Sequence, residues 1–302
     1  MAGTTRTATA YALLAAAPVF FSTNVVLGKA ALEIEPFTLA ALRWSITAAI
    51  LWLFSRRHWP AMIAVMRQSW KLLAVCGFLG MWICGALVYL ALKYTSATNG
   101  TLIYTLPPVI IVLVERVWRG RALKARELSG ILLAFLGVVA IVLRGDISAL
   151  ANLRFNPGDL IFLLAAFAWA IYTVLLKSKA FAGLQTIPLL AVVAAMGAAQ
   201  LVPFAIAEVV ITGNFPDTSY QWALVSGIVL FASIISFSAF QYGISVLGAS
   251  IAGIFLYLLP PCGIALAWLF LGERLAPYHL AGMALVLGGV ILATFPAMAR
   301  RA

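Results

Sequence analysis

No aspartate or glutamate falls near the centre of any long apolar run in this chain, whose 302 residues include only nine acidic side chains. Glu115 and Glu208 sit at the ends of such runs, Glu273 begins a loop, and both histidines, His58 and His279, lie near loops. Proton-driven carriers usually display an intramembrane carboxylate or histidine relay. The lack of one favours passage down a gradient, or a coupling that residue placement does not reveal. The three cysteines, Cys76, Cys84 and Cys262, fall inside apolar runs without metal-ligand spacing, which reads as small buried hydrophobes. No Cys/His/Glu metal set, Ser/His/Asp set or phosphate-binding glycine loop is present, so neither a cofactor nor an enzymatic reaction is expected.

Charge of either sign is scarce: 10% of residues are charged, against 64% hydrophobic, and the mean hydropathy is +1.07. Soluble domains carry about a quarter charged residues, so this chain could not cover its surface with polar groups, and its solvent must be lipid. Runs of about 20 apolar residues cross the roughly 30 Å hydrocarbon core as helices. Ten can be placed, at 9–29, 37–55, 71–92, 98–118, 127–143, 159–177, 186–211, 221–246, 250–271 and 278–297. The expected fold is therefore an all-α polytopic membrane protein, with no chain left for a separate soluble domain. The first run continues unbroken to Gly28, longer than a signal sequence, and reads as a retained helix.

A net charge of +11 would suggest nucleic acid as the partner of a soluble chain. Here the positions decide otherwise. The termini and the loops after spans 2, 4, 6 and 8 hold fourteen Lys and Arg residues, among them Arg56, Arg57, Arg116, Arg119 and Lys179. The opposite side holds five: Lys29, Lys93, Arg144, Arg154 and Arg274. The positive-inside bias places both termini in the cytoplasm, so the basicity is a topology signal and no nucleic acid is expected.

The sequence also repeats itself. "NGTLIYTLPP" at 99–108 lies over "AGIFLYLLPP" at 252–261, aligning Tyr104 with Tyr257 and both proline pairs. At the same offset Tyr89 meets Tyr242, and beyond a one-residue slip Gly130 and Gly137 meet Gly282 and Gly289. "FSTNVVLGK" (21–29) lies over "WAIYTVLLK" (169–177). Each half, 1–146 and 147–302, thus contains five spans, and an odd count makes the second half enter the membrane from the opposite side. Inverted repeats of this kind recur in secondary transporters, with the substrate site at the midplane between halves.

The chain resembles the drug/metabolite transporter superfamily, specifically the EamA-type permeases with ten helices in two five-helix repeats. The resemblance is carried by "FSTNVVLGK", "PFTLAALRW" (36–44), "YLALKYTSA" followed by "TLPP", and "LYLLPP…LGERLAPYHLAGMALVLGGV", and it covers almost the whole chain. The departures are Phe21, where a tryptophan is usual, and "VERVWRGRA", where the first half commonly has Leu-Gly-Glu. "LKYTSATNG" and the aromatic richness look most like the bacterial aromatic amino-acid exporters. The resemblance implies a multi-pass carrier of the bacterial inner membrane, contacting lipid and a small-molecule substrate such as an amino acid. Its oligomeric state stays open, a monomer included.

Within this frame, Pro107, Pro108, Pro260 and Pro261 interrupt spans 4 and 9 and are expected as a symmetry-related pair of hinges. They leave carbonyls such as those of Ile103, Tyr104, Leu256 and Tyr257 without donors four residues on. Such carbonyls are tolerated only against protein or a wet cavity. Arg43 lies seven residues past Pro36, about 10 Å below the boundary. It could receive a substrate carboxylate, clamp freed carbonyls, or reach out to Glu33 or Glu35. The candidate substrate contacts are Asn24, Arg43, Trp44, Trp82, Tyr89, Tyr104, Trp169, Tyr172, Gln241, Tyr242 and Tyr257, an amphipathic set able to stack rings and bond a polar head. The four glycines of spans 5 and 10 are expected to pack helices rather than touch substrate. Transport of an amphipathic amino acid by alternating access, possible without coupling, is the first reading. A passive small-solute channel is the alternative, against which the aromatic midplane argues.

Overall fold

A computed structural model describes residues 2–95, 103, 105–120, 122, 124–146, 156–271 and 276–299. Its elements are helical throughout. The first half comprises α1 (Ala2–Ala30), α2 (Pro36–Phe54), α3 (Trp59–Gly77), α4 (Val88–Ala91), α5 (Pro107–Arg119) and α6 (Ala125–Val142). The second comprises α7 (Pro157–Leu175), α8 (Thr186–Thr212), α9 (Ser219–Gly227), α10 (Ser236–Leu247), α11 (Ala249–Ile254), α12 (Leu259–Leu271) and α13 (Pro277–Ala299). Among the described residues, nine helical stretches are long and apolar enough to span a membrane. The tenth span is represented by the 13 residues of α5. Exposed Phe54, Val117, Val210 and Ile211 give the bundle an apolar outer surface, as a lipid solvent requires.

Local signals set the helix ends. Proline opens α2, α3, α5 and α7 in the first turn, where its missing N–H has no partner to lose. Asn156 with Asp159 and Thr218 with Gln221 form capping boxes. Gly120 and Gly213 close α5 and α8 with positive φ of 62° and 70°. The N-terminus of α2 has no cap of its own. Glu208 of α8 supplies one from across the bundle, accepting from the Thr38 N–H at 2.7 Å and the Phe37 N–H at 3.3 Å.

Spans 3 and 8 are each three pieces: α3 and α4 flank a π-helical segment, Phe78–Leu87, and α9 and α10 flank another, Ile228–Ile235. Sequence patterning shows an apolar run in both cases and cannot show the extra residue per turn. The two π segments fall at corresponding positions of the two halves. Span 3 also begins earlier than expected. Residues 59–70 are helix rather than loop, starting after the turn at Arg56–His58 and bending at Ser69 (φ −126°, ψ 24°). Met62 and Val65 are buried there while Trp59, Ile63 and Trp70 are exposed, the pattern of a helix lying in the interface.

The proline pairs also occupy a different place from the one expected. Pro107 and Pro108 form the first turn of α5, and Pro260 and Pro261 the first turn of α12 after a 3₁₀ turn at Phe255–Leu258. Span 9 is thus broken into two pieces, α11 and α12, and its prolines start the second, as Pro107 and Pro108 start α5. The carbonyl of Ile103 is not left bare: it accepts from the Leu106 N–H at 3.0 Å. Leu256 likewise accepts from the Leu259 N–H. Tightening to i+3 bonding absorbs acceptors that an α-helix would have orphaned. Tyr104, like Glu273 and Arg154, lies outside the described residues.

The two halves meet through glycine. Spans 5 and 10 pack as α6 against α13, and the expected packing role of their glycines is visible as backbone contact. A Cβ on Gly130 would lie 2.6 Å from the Gly289 oxygen, and one on Gly137 would lie 2.7 Å from the Gly282 oxygen. The repeat equates 130 with 282 and 137 with 289, so each contact is the image of the other under a two-fold rotation, the mark of an isologous interface. The pairing of α1 with α10 and of α7 with the first π segment, and of α2 with α8, follows the same symmetry.

Candidate functional site

Arg43 projects from α2 into the middle of the bundle and is 3% exposed. Its Nε donates to Ser233 Oγ at 2.7 Å and its Nη2 to the Ala232 carbonyl at 3.1 Å. Its Nη1 donates to Tyr89 Oη at 3.0 Å and Asn24 Oδ1 at 3.2 Å. Tyr89 in turn donates to Asn24 Oδ1 at 2.9 Å. Spans 1, 2 and 3 are thereby tied to the π segment of span 8. Glu35 pairs with Lys93 instead, at 2.7 Å, so the outward reach to that acid is not made. The carbonyl clamp is made, though on a π-helical carbonyl rather than one freed by proline. Ala232 O also accepts from Ser236 Oγ at 2.7 Å.

Beside Arg43 lies a packed aromatic cluster. The guanidinium carbon stands 4.7 Å from the Trp44 ring and 5.8 Å from that of Phe237, within cation–π range. Phe237 meets Trp44 edge-on at 4.9 Å, Phe21 at 5.3 Å and Trp169 at 5.4 Å. Trp169 continues to Phe240 at 5.7 Å and to Tyr172 at 5.5 Å. Gln241 closes the chain, its Nε2 donating to Tyr172 Oη at 2.8 Å. Room for these rings comes from the first π segment: a Cβ on Gly80 would lie 2.9 Å from the Tyr172 ring and one on Gly85 3.2 Å from Trp44 Nε1.

The structure therefore brings Asn24, Arg43, Trp44, Tyr89, Trp169, Tyr172 and Gln241 together. Trp82 stands apart, stacked on Phe78 at 5.1 Å and packed against Phe37 and Phe204. Phe78 and Phe204 are exposed, so that cluster faces the outside of the bundle. Tyr242 is half-buried, and no ring contact or side-chain hydrogen bond joins it to the cluster. Tyr257 is buried beside the break in span 9, where Ser22 Oγ of α1 reaches the Leu259 carbonyl at 3.1 Å. Phe21, Ser233, Phe237 and Phe240 belong to the site although sequence reasoning passed over them as candidates. Phe21 was visible as the aromatic of "FSTNVVLGK"; the other three give no signal, because phenylalanine and serine are common throughout the chain.

Among the cluster residues, Trp44 Nε1, Trp169 Nε1 and Gln241 Oε1 are buried without a hydrogen-bond partner, as is Tyr257 Oη beside the break in span 9. A buried unpaired polar atom costs about 1–3 kcal/mol, and native structures hold few of them.

Two cavities lie at opposite ends of α8. One, of about 330 Å³, is lined by Lys177, Lys179 and Thr186 and reaches down to Gln241. The other, of about 120 Å³, is lined by Glu33, Asn214, Asp217 and Gln221. Glu115 of α5 accepts a hydrogen bond from Ser250 of α11, and Arg119 donates to the Val174 carbonyl at 3.0 Å. These contacts hold the ends of spans 4, 6 and 9 together.

The sequence matches a model of the EamA-like transporter family twice, over residues 8–143 and 156–295. An uncharacterized transporter of Archaeoglobus fulgidus is 28% identical over 267 residues, covering 87% of this chain and 89% of the relative. The uncharacterized transporter YyaM of Bacillus subtilis is 26% identical over 262 residues, 86% of this chain and 85% of the relative. A probable terminal-alkyne amino-acid exporter of Streptantibioticus cattleyicolor is 26% identical over 276 residues, covering 91% and 86%. A solved structure superposes with a TM-score of 0.74 over 96% of this chain and 98% of its own, at 21% identity. That likeness speaks to the fold.

Proposed function

The chain belongs to the EamA-like transporter family, and from that premise we propose that it exports small amphipathic metabolites by alternating access between halves 1–146 and 147–302. The cargo is an amino acid or close derivative with an aromatic or large apolar side chain. The observation that carries this reading is the seating of Arg43 against the Trp44–Phe237–Trp169 cluster, where a polar head and an apolar body would each find a complement. The unpaired atoms of Trp169, Gln241 and Tyr257 support it. So does the amino-acid exporter among the relatives. The breaks at Pro107–Pro108 and Pro260–Pro261 serve as hinges, because a helix that restarts at a proline turn can tilt without breaking ladder bonds. The positive-inside bias sets both termini, and the larger cavity, on the cytoplasmic side of a bacterial inner membrane.

A membrane channel is the competing reading, and the close-packed rings at the centre favour a carrier. Efflux of radiolabelled amino acids from proteoliposomes tests the proposal. Saturable flux with counterflow is expected; unsaturable conductance would identify a channel, and no flux for any amino acid or derivative would remove the cargo assignment.

A further inference from the structure

Arg43 is a cation that meets no anion. Of its five N–H donors, four are used, and all the acceptors are neutral: Ser233, Asn24, Tyr89 and the Ala232 carbonyl. Lys93 pairs with Glu35 and Arg119 with Glu115, whereas Arg43 makes no ion pair among the described residues. Buried charges are ordinarily paired, because an uncompensated one forfeits its hydration without return. The two cavities add a second observation. The larger carries Lys177 and Lys179 in its lining and no acid, while the smaller carries Glu33 and Asp217 and no base. Gln241 joins the basic cavity to the aromatic cluster, its Oε1 buried and unpartnered.

From these observations we propose that the carried species is a net monoanion: a carboxylate on an aromatic or large apolar body, without a free ammonium. The inference rests on the reading of the chain as an aromatic-lined carrier and, within its cargo class, favours derivatives whose amine is acylated or absent over the free amino acid. The carboxylate takes the fifth guanidinium N–H and displaces the neutral Asn24 and Tyr89 acceptors from Nη1, so that the closed complex is electrically neutral. A zwitterion brings an ammonium for which no carboxylate stands among the described residues of the cluster, and the complex would stay positive. Lysines at one mouth raise the local concentration of an anion. Carboxylates at the other lower it there, so an anion is met more readily at the basic mouth than at the acidic one.

The test uses the full chain in lipid nanodiscs and four probes sharing one phenyl body: 3-phenylpropanoate, N-acetylphenylalanine, phenylalanine and phenethylamine. Binding is read by tryptophan fluorescence and exchange by counterflow in proteoliposomes. The two monoanions should bind roughly tenfold or more tighter than phenylalanine, with phenethylamine weakest. R43Q should abolish that preference, and R43K, which keeps the charge, should retain part of it. Phenylalanine binding as well as the anions, or the preference surviving in R43Q, overturns the proposal and leaves the carrier reading standing. Binding or exchange of none of the four overturns both. Should R43Q fail to fold, the wild-type series and R43K decide: the wild-type preference stands or falls by itself, and an unweakened preference in R43K would count against Arg43.

Discussion

Gly130 and Gly289 approach so closely that a Cβ on either would lie 2.6 or 2.5 Å from the other's carbonyl oxygen. The partner in each case is backbone, which cannot turn aside as a side chain can. Gly289→Ala should therefore destabilise the bundle by about 1–3 kcal/mol. Gly288→Ala is its internal control, since a Cβ there meets only Leu133 Cδ2 at 3.8 Å. Thermal unfolding in detergent should separate the two; equal melting temperatures would show that α6 and α13 sit further apart.

Ser233 is the nearest acceptor of the buried guanidinium, at 2.7 Å. Ser233→Ala leaves Arg43 Nε without an acceptor, and hydrogen bonds to charged groups are worth about 1.5–3 kcal/mol. A stability loss of that order is expected. Combined with Asn24→Ala in a double-mutant cycle, the losses should be non-additive, because both residues hold one guanidinium.

Trp169→Phe gives the opposite sign for stability and function. The substitution keeps a ring within the cluster and removes a buried N–H that has no partner. Stability should stay within about 1 kcal/mol of the original or rise, while the KM for an aromatic cargo increases. A fall in stability with unchanged transport would make the indole a packing element only.

Glu208 caps a helix that it does not belong to. Glu208→Ala removes the acceptor for Thr38 N–H and Thr38 Oγ1, at a cost of about 1 kcal/mol. Glu208→Gln keeps a side-chain oxygen and should recover part of it. Hydrogen exchange at Phe37 and Thr38 reports the change directly.

Transport should be facilitative. An imposed pH gradient should not drive uphill accumulation in proteoliposomes, and Glu115→Gln, whose oxygen can still accept from Ser250, should leave flux within about twofold, as expected where no protonation step is needed. Uphill accumulation abolished in Glu115→Gln would instead assign the proton site to that buried carboxylate.

The amino-acid sequence determined the large-scale organisation. With lipid as solvent every backbone group must be satisfied within its own segment, so long apolar runs become helices and their number can be counted. The proline pairs and the glycines of spans 5 and 10 were legible because they recur in register, at offsets of 153 and 152 residues. What α6 and α13 do with those glycines follows from that recurrence. Tertiary structure decided the rest. Arg43 finds Ser233 across 190 positions of chain, a pairing no local periodicity encodes. Ten-residue and eight-residue π segments leave the apolar pattern nearly unchanged while turning the residues beyond them to new faces. Ser233 lies inside one segment and meets Arg43, whereas Trp82, chosen by depth alone, lies inside the other and packs on Phe78 and Phe37. Depth in the membrane is a property of one helix; the direction a side chain faces at that depth is set by how all ten pack.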